Sequence, residues 1–513
     1  MFIKGYSGAI FGIDAVKVTV EVSLGEGGMG LFLVGLPDSA IKESQERIRA
    51  AFENSKLSMT AKKMVVNLAP ADLRKEGSGF DLPIAVGMLG AMGQIVSDKF
   101  EQTMFLGELS LDGSIRAIKG ALPLAVEARK CGLKYIVLPV ENGLEASIVE
   151  GIEVLGVESL RQVVDWMNGV EEIEPIKYIV ESERGENEKL YVEDFSDVKG
   201  QAHVKRAMEI AAAGGHNVIM IGAPGSGKTM LSRRLPSILP PLDMEEALET
   251  TKIHSVAGKL NLKSGLMRQR PFRAPHHLTS QVALIGGGQS PQPGEVSLAN
   301  NGILFLDELP EFGRSVLEVL RQPLEEKRIT ISRAKYSVEY PANFTLIASM
   351  NPCPCGYYNH PDKECTCSPG AVHRYMGRIS GPLLDRIDLH IEVIPLSIAE
   401  ISSTKVEESS AVIRTRVMRA REVQSRRFEG VDGVHTNAMM NSKMLRAYAP
   451  LDDAARKMLE VAMERLKLSA RAYDRIIKVA RTIADLEGVV NISVAHIAEA
   501  INYRSLDRDG WGR

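Results

Sequence analysis

The chain has 513 residues, room for about three domains at roughly 100 to 200 residues each. With 44% hydrophobic and 25% charged residues and a mean hydropathy of -0.05, it lies among ordinary folded globular proteins and outside the disordered class. Its net charge of -3, from 62 Lys and Arg against 65 Asp and Glu, excludes a protein carried to nucleic acid by bulk positive charge, so any polyanion site must be local.

At the N-terminus, Met1 to Val16 is interrupted by Lys4 and Asp14 and lacks the charged, apolar and small-residue order of a secretory signal. Val16 to Val22 alternates valines with polar residues at period two, and Met64 to Leu68 is a compact apolar run; both are expected strands. Between them, Pro37-Asp38-Ser39 precedes an expected helix over 40–54, where Ile41, Ile48 and Phe52 recur near the helical period. The most apolar long stretch, Phe80 to Val96, carries Asp81, Pro83 and three glycines and stays under the roughly 20 apolar residues that a membrane helix needs, so no spanning segment is expected. These signals make 1–175 an α/β domain. Glu171 to Lys189 mixes acidic residues and lysines with little periodicity, and 176–191 reads as a solvated linker.

From 192 to 395, strand-like runs at Val218–Ile221, Ile303–Leu306 and Phe344–Ala348 alternate with helical stretches, the pattern of a mostly parallel sheet. Three-and-four spacing in Asp452–Leu468, Arg471–Glu487 and Ser493–Arg504, with Gly488 as a stop and Ser493 as a cap, predicts a helical domain over 396–513. The expected fold class is α/β, multidomain.

Gly222, Ala223, Pro224, Gly225, Ser226, Gly227, Lys228 and Thr229 match GxxxxGK[ST] between an apolar strand and a helical run, the context that phosphate-loop chemistry requires. Glycines let backbone N–H groups curl around phosphate oxygens, Lys228 reaches the terminal phosphates, and Thr229 ligates Mg²⁺. Ile303 to Leu306 ends in Asp307 and Glu308, where the first carboxylate can hold the metal and the second can polarise an attacking water. ATP and Mg²⁺ are the expected cofactors.

Five cysteines are present: Cys131 alone, and Cys353, Cys355, Cys365 and Cys367 within fifteen residues, a distribution unlike a secreted disulfide scaffold and consistent with a reducing, cytoplasmic compartment. The two C-x-C pairs read three ways: a four-thiolate zinc shell of structural role, unliganded thiols, or redox disulfides, with His360 or His373 able to replace a thiol at zinc. Thr330 to Val338 reads as a hairpin carrying Arg333 and Lys335, either a solvated edge or a positive surface for a phosphate backbone.

With Ser349-Met-Asn351-Pro after a strand and Leu383-Leu-Asp-Arg386-Ile-Asp388 beyond it, the central and C-terminal regions resemble AAA+ ATPases of the clade containing magnesium-chelatase ATPase subunits and MCM helicases. The resemblance implies that Asn351 is a first sensor of the γ-phosphate, Arg386 an arginine finger with Arg378 its nearest competitor, and Arg471, in Ser469-Ala-Arg471, a second sensor. Asp197-Val-Lys-Gly-Gln201 resembles the segment beside the adenine. Arg273-Ala-Pro-His276-His277 and the glycine-rich run Gly286 to Gly294 resemble the insertion in the clade's second helix, and the 330–338 hairpin resembles one that faces a ring's pore in related DNA motors. A finger implies a homo-oligomer, a ring of six by resemblance.

Gly107 to Gly132 and Lys75-Glu-Gly-Ser78-Gly79 resemble the proteolytic domain of Lon proteases, with Gly79 at the nucleophile's place and Leu122 at the lysine's, and with Ser78 and Lys119 nearby. Loss of either partner removes nucleophile activation, so peptidase activity is not expected. The order of a Lon-like domain, an AAA+ core over 192–395 with a cysteine insert at 353–367, and a helical end resembles the YifB/ComM family of magnesium-chelatase-like proteins. The implied function is an ATP-driven ring motor on single-stranded or branched DNA, a helicase or branch-migration enzyme of recombination and natural transformation. Competing readings are a magnesium-chelatase-like ATPase chaperone, a protein-remodelling ATPase and an ATP-switched scaffold.

Overall fold

The computed structural model describes all residues except 26, 27, 29, 61, 74, 179–191, 262–264, 289–290, 334–335, 398–399, 401, 403–405, 467, 505 and 507–513. Most of the expected linker, from 179 to 191, therefore lies outside the described residues. The chain divides into two units, Met1–Arg184 with Met244–Met267, and Gly185–Asp243 with Arg268–Arg513.

In the first unit, β1 (Phe2–Phe11), β2 (Asp14–Leu24), β3 (Gly30–Val34), β4 (Lys63–Ala69), β5 (Thr103–Phe105), β6 (Tyr135–Pro139) and β7 (Glu153–Val157) form one sheet in the order β3-β4-β2-β1-β5-β6-β7. The valine alternation of β2 sends Val18, Val20 and Val22 into the core while Glu21 stays half-exposed. Helix α1 (Ser39–Asn54) starts where Asp38 Oδ1 accepts the Ile41 N–H at 2.9 Å, and it buries Ile41, Ile48 and Phe52. The apolar stretch after residue 80 becomes α2 (Asp81–Ala91), buried at every position. Its one charge, Asp81, sits in the first turn and takes a bidentate pair from Arg47 at 2.6 and 2.9 Å. No helix among the described residues is long and apolar enough to cross a membrane.

Within the span 192–395, expected as one module, one segment clusters with the first unit. Residues Met244–Met267, whose helix spans Met244–Val256, belong to the first unit. Leu248 packs on that unit's apolar cluster with Leu122, Leu124 and Ile136, Ser255 bonds the buried Glu145 carboxylate, and Lys252 pairs with Asp14 at 3.0 Å. In the segment read as Lon-like, Ser78 donates its hydroxyl to Glu108, while the Lys119 stem lies along Gly258.

The second unit is built on five parallel strands, β8 (Val218–Gly222), β9 (Phe272–Arg273), β10 (Ile303–Leu306), β13 (Thr345–Met350) and β14 (Leu389–Val393), in the order β9-β10-β13-β8-β14. Strands β11 (Arg328–Arg333) and β12 (Tyr336–Pro341) form the expected hairpin as a separate antiparallel pair. Arg333 ends β11 opposite Tyr336; Lys335 lies outside the described residues. Helix α5 (Ala202–Gly214) leads into β8 and α6 (Lys228–Ile238) leaves it. The C-terminal helices include α8 (Ser410–Arg427), α10 (Ala470–Leu486) and α11 (Val494–Asn502). They share buried surface with the sheet: Ile476, Val479 and Ile483 join Val218, Phe305 and Ile347 in a single buried cluster. Burying side chains of this kind stabilises by about 1.5 to 3 kcal/mol each, which ties the helical end to the sheet.

Candidate nucleotide site

The site collects at the carboxyl ends of β8, β10 and β13, where open parallel sheets bind ligands. Gly222 ends β8 against the β14 backbone, and a Cβ there would fall 2.3 Å from the Val393 carbonyl oxygen. Gly225 and Gly227 turn the loop at φ +79° and +93°, open to glycine at no steric cost. Lys228 opens α6 nearly buried, its ammonium donating to the Gly222 and Ala223 carbonyls at 2.7 and 2.9 Å and to Asn351 Oδ1 at 3.4 Å. Burial lowers its pKa below the ordinary lysine value, against the pull of Asp307 and Glu308.

Thr229 donates its hydroxyl to Asp307 Oδ2 at 2.9 Å, and Ser349 donates to Asp307 Oδ1. Glu308 follows with a left-handed backbone at φ +53°, held by its N–H on Asp307 Oδ1 at 3.1 Å and by the Glu311 N–H on its carbonyl at 2.8 Å. A non-glycine residue in that region costs about 1 kcal/mol or more and marks functional turns. The Glu308 carboxylate is half-exposed and lies 3.5 Å from His277 Nδ1, whose ring lies tilted by 35° against His276 at 4.1 Å between centroids. Gln201, also left-handed at φ +51°, donates to the Ser226 carbonyl at 2.9 Å. Ser226 Oγ is buried without a hydrogen-bond partner among the described residues.

These groups fit a magnesium nucleotide. An orphaned buried hydroxyl, a buried ammonium and a glycine loop at a helix N-terminus suit phosphate, and the Thr229 and Asp307 oxygens are the hard donors Mg²⁺ takes. When bound, Mg²⁺ would neutralise charge on the phosphates, the loop could cradle them, and the Glu308 carboxylate could accept a proton from water.

The arginines go elsewhere. Arg386 is turned inward, 5% exposed, its guanidinium paired with Glu325 and donating to the Pro382 carbonyl. Its own carbonyl accepts from Asn217, which precedes β8, so Arg386 lies at the amino end of the sheet, opposite the phosphate loop. Arg471 is exposed, 3.5 Å from Asp385, the residue before Arg386. In the single chain the Glu325 carboxylate thus holds the guanidinium of Arg386, the expected finger, inward. Arg378 is more exposed and bonds Glu311 at 2.9 Å and the Pro310 carbonyl at 3.3 Å, just after Glu308. Arg273 makes a bidentate pair with Glu295 at 2.6 and 2.7 Å, and Gly286–Gly287 pairs antiparallel with Gln292–Pro293 inside the insertion.

Cys353, Cys355, Cys365 and Cys367 are unbridged, with ligand atoms all within 4.8 Å of one another. In the sequence Ser349 and His277 stand out only as members of longer motifs. Period two along β13 puts Ser349 on the same face as Asn351, a signal open to the eye, whereas nothing in the sequence points His277 at Glu308.

A parallel sheet with a phosphate loop after β8 and paired carboxylates after β10 defines a P-loop ATPase module of the AAA+ class. Residues 194–401 match the family described as magnesium chelatase, subunit ChlI; 20–142 match subunit ChlI of Mg-chelatase; and 407–504 match the C-terminal region of that subunit. The chain is 45% identical over 505 residues to competence protein ComM of Haemophilus influenzae, covering 98% of this chain and 97% of that one. It is 44% identical over 502 residues to YifB of Escherichia coli, covering 98% and 96%. To the magnesium-chelatase 38 kDa subunit of Cereibacter sphaeroides it is 28% identical over 177 residues, 31% of this chain and 52% of that one. The chain belongs to the YifB/ComM family of magnesium-chelatase-like AAA+ ATPases.

Proposed function

We propose that this ATPase is a cytoplasmic, ring-forming motor that acts on DNA, moving branched junctions or separating strands in recombination and natural transformation. What carries the reading is the full-length similarity to competence protein ComM, against a match to the chelatase subunit over 31% of the chain. In this reading Lys228 and Thr229 hold Mg²⁺-ATP with Asp307, Glu308 activates water, and Asn351 senses the γ-phosphate.

The placement of Arg386 and Arg471 supports a homo-oligomer, a ring of six in this reading. They sit toward the amino end of the sheet, and β8 alone spans five residues, about 16 Å at about 3.3 Å per residue, which favours a role at a neighbour's phosphates over one at their own. They suit the site of a neighbouring subunit once the Glu325 pairing opens.

Hydrolysis measured alone and with single-stranded, duplex and four-way-junction DNA tests the reading. DNA should raise turnover, and an unchanged rate with no junction movement would leave the chelatase-like chaperone or protein-remodelling reading in its place. Arg333→Ala with Lys335→Ala should keep basal hydrolysis while DNA affinity falls and its salt slope flattens by up to about two units, one per phosphate contact.

A further inference from the structure

The cysteine loop meets the phosphate loop at a second place besides its covalent link to Asn351. Cys353 is buried, two residues beyond Asn351, whose side-chain oxygen accepts from Lys228. Gly356, the residue after Cys355, has φ +84°, and a Cβ there would lie 2.6 Å from Pro224 Cδ and 2.8 Å from Cγ, so its backbone lies flat on the Pro224 ring.

The sulfurs themselves are arranged for one small, soft cation. Cys353 Sγ lies 3.3 Å from Cys355 Sγ and 3.7 Å from Cys365 Sγ, and Cys355 and Cys365 are 3.6 Å apart. These separations are too long for S–S bonds and close to the edges of about 3.8 Å that a tetrahedron with 2.3 Å zinc–sulfur bonds has.

We propose that the four thiolates hold one Zn²⁺ and that this ion braces the phosphate loop through Gly356 and Pro224, so that nucleotide affinity depends on a metal that never touches the nucleotide. Without the ion the 353–367 loop loses its closure, and the Pro224 face of the loop loses its backing. This rests on the ATPase reading for its consequence, whereas the metal site stands on the sulfur geometry alone.

The test uses the full-length protein. Metal analysis should find one zinc per chain, and cobalt in its place should show the absorption of a tetrahedral thiolate site. Cys365→Ser and Cys367→Ser, both far in sequence from Asn351, should lose the metal and weaken binding of a fluorescent ATP analogue by about tenfold or more, the usual scale for removing a supporting contact. Gly356→Ala keeps all four ligands; it should retain zinc and still weaken nucleotide binding, which separates the brace from a general folding defect. Absence of zinc with no cobalt uptake, or iron in its place, would overturn the zinc site. Parent-like nucleotide affinity in the zinc-free variants or in Gly356→Ala would overturn the brace. A parent that holds zinc and binds no nucleotide would sink the ATPase reading and the brace with it, leaving the metal site standing.

Discussion

Lys228 gives up bulk water for carbonyl partners inside its own loop, and Glu308 stands half in solvent on a left-handed turn; the two environments suit binding and proton transfer respectively. Lys228→Ala should therefore abolish detectable ATP-analogue binding, while Glu308→Gln should bind it like the parent and hydrolyse ATP at least about 100-fold more slowly, the low end for removing a general base. Equal loss of binding in both variants would show that Glu308 holds the nucleotide instead. His277 Nδ1 stands 3.5 Å from the Glu308 carboxylate, close enough to help position it. His277→Ala should lower kcat by about tenfold with KM for ATP nearly unchanged, since a positioning contact acts on the reaction geometry and not on the bound phosphates. Steady-state kinetics checks the split, and a rise in KM alone would argue against it.

Among the elements, β14, the start of β8 and α10 meet at Asp388. Its carboxylate accepts the Asn217 N–H at 3.0 Å, pairs with Arg475 of α10, and lies 3.5 Å from His216 Nδ1. Burial raises its pKa, but Arg475 and His216 outweigh burial and hold the carboxyl well below the usual carboxylate range. A depressed carboxylate adds stability that is fully present above the unfolded value of about 4 and is lost as pH falls below it. Asp388→Asn should destabilise the second unit by about 3 kcal/mol at pH 7, the lower end for breaking a buried pair because Arg475 keeps some solvent. The gap between parent and variant in urea unfolding should narrow between pH 5 and about pH 3. A gap that stays constant across that range would place the stabilising interaction elsewhere.

At the scale of the whole molecule, the question is whether a subunit completes its neighbour's site. Subunits carrying Arg386→Ala, mixed with subunits carrying Lys228→Ala, should recover part of the hydrolysis each has lost, because a mixed interface joins an intact arginine to an intact phosphate loop. Arg378→Ala run in the same way separates the candidates. Arg378 borders the Glu308 turn of its own chain, so its loss should not be rescued by a Lys228→Ala partner. Recovery with Arg378→Ala and none with Arg386→Ala, in rings shown to be mixed, would reverse the assignment.

Local chemistry was legible in the chain by itself. The phosphate loop needs a strand, glycines at left-handed positions and a lysine at a helix start, all within twelve residues, so Val218 to Thr229 could be read directly; the same holds for the Asp38 cap of α1 and the valine face of β2. Only the tertiary structure decided what depends on residues far apart. The apolar pattern of α2 says that the helix is buried but not against what, and the helix Met244–Val256 follows the phosphate-loop helix in sequence yet buries Leu248 with the first unit. Arg386 looks like an accessible charge in sequence, but Glu325, 61 residues earlier, draws it inward. Contact between Gly356 and Pro224 and the approach of His277 to Glu308 arise because parallel strands bring the loops at their carboxyl ends together, whatever their separation along the chain. Period and spacing report a residue's own element; its partners are set by which elements share a core.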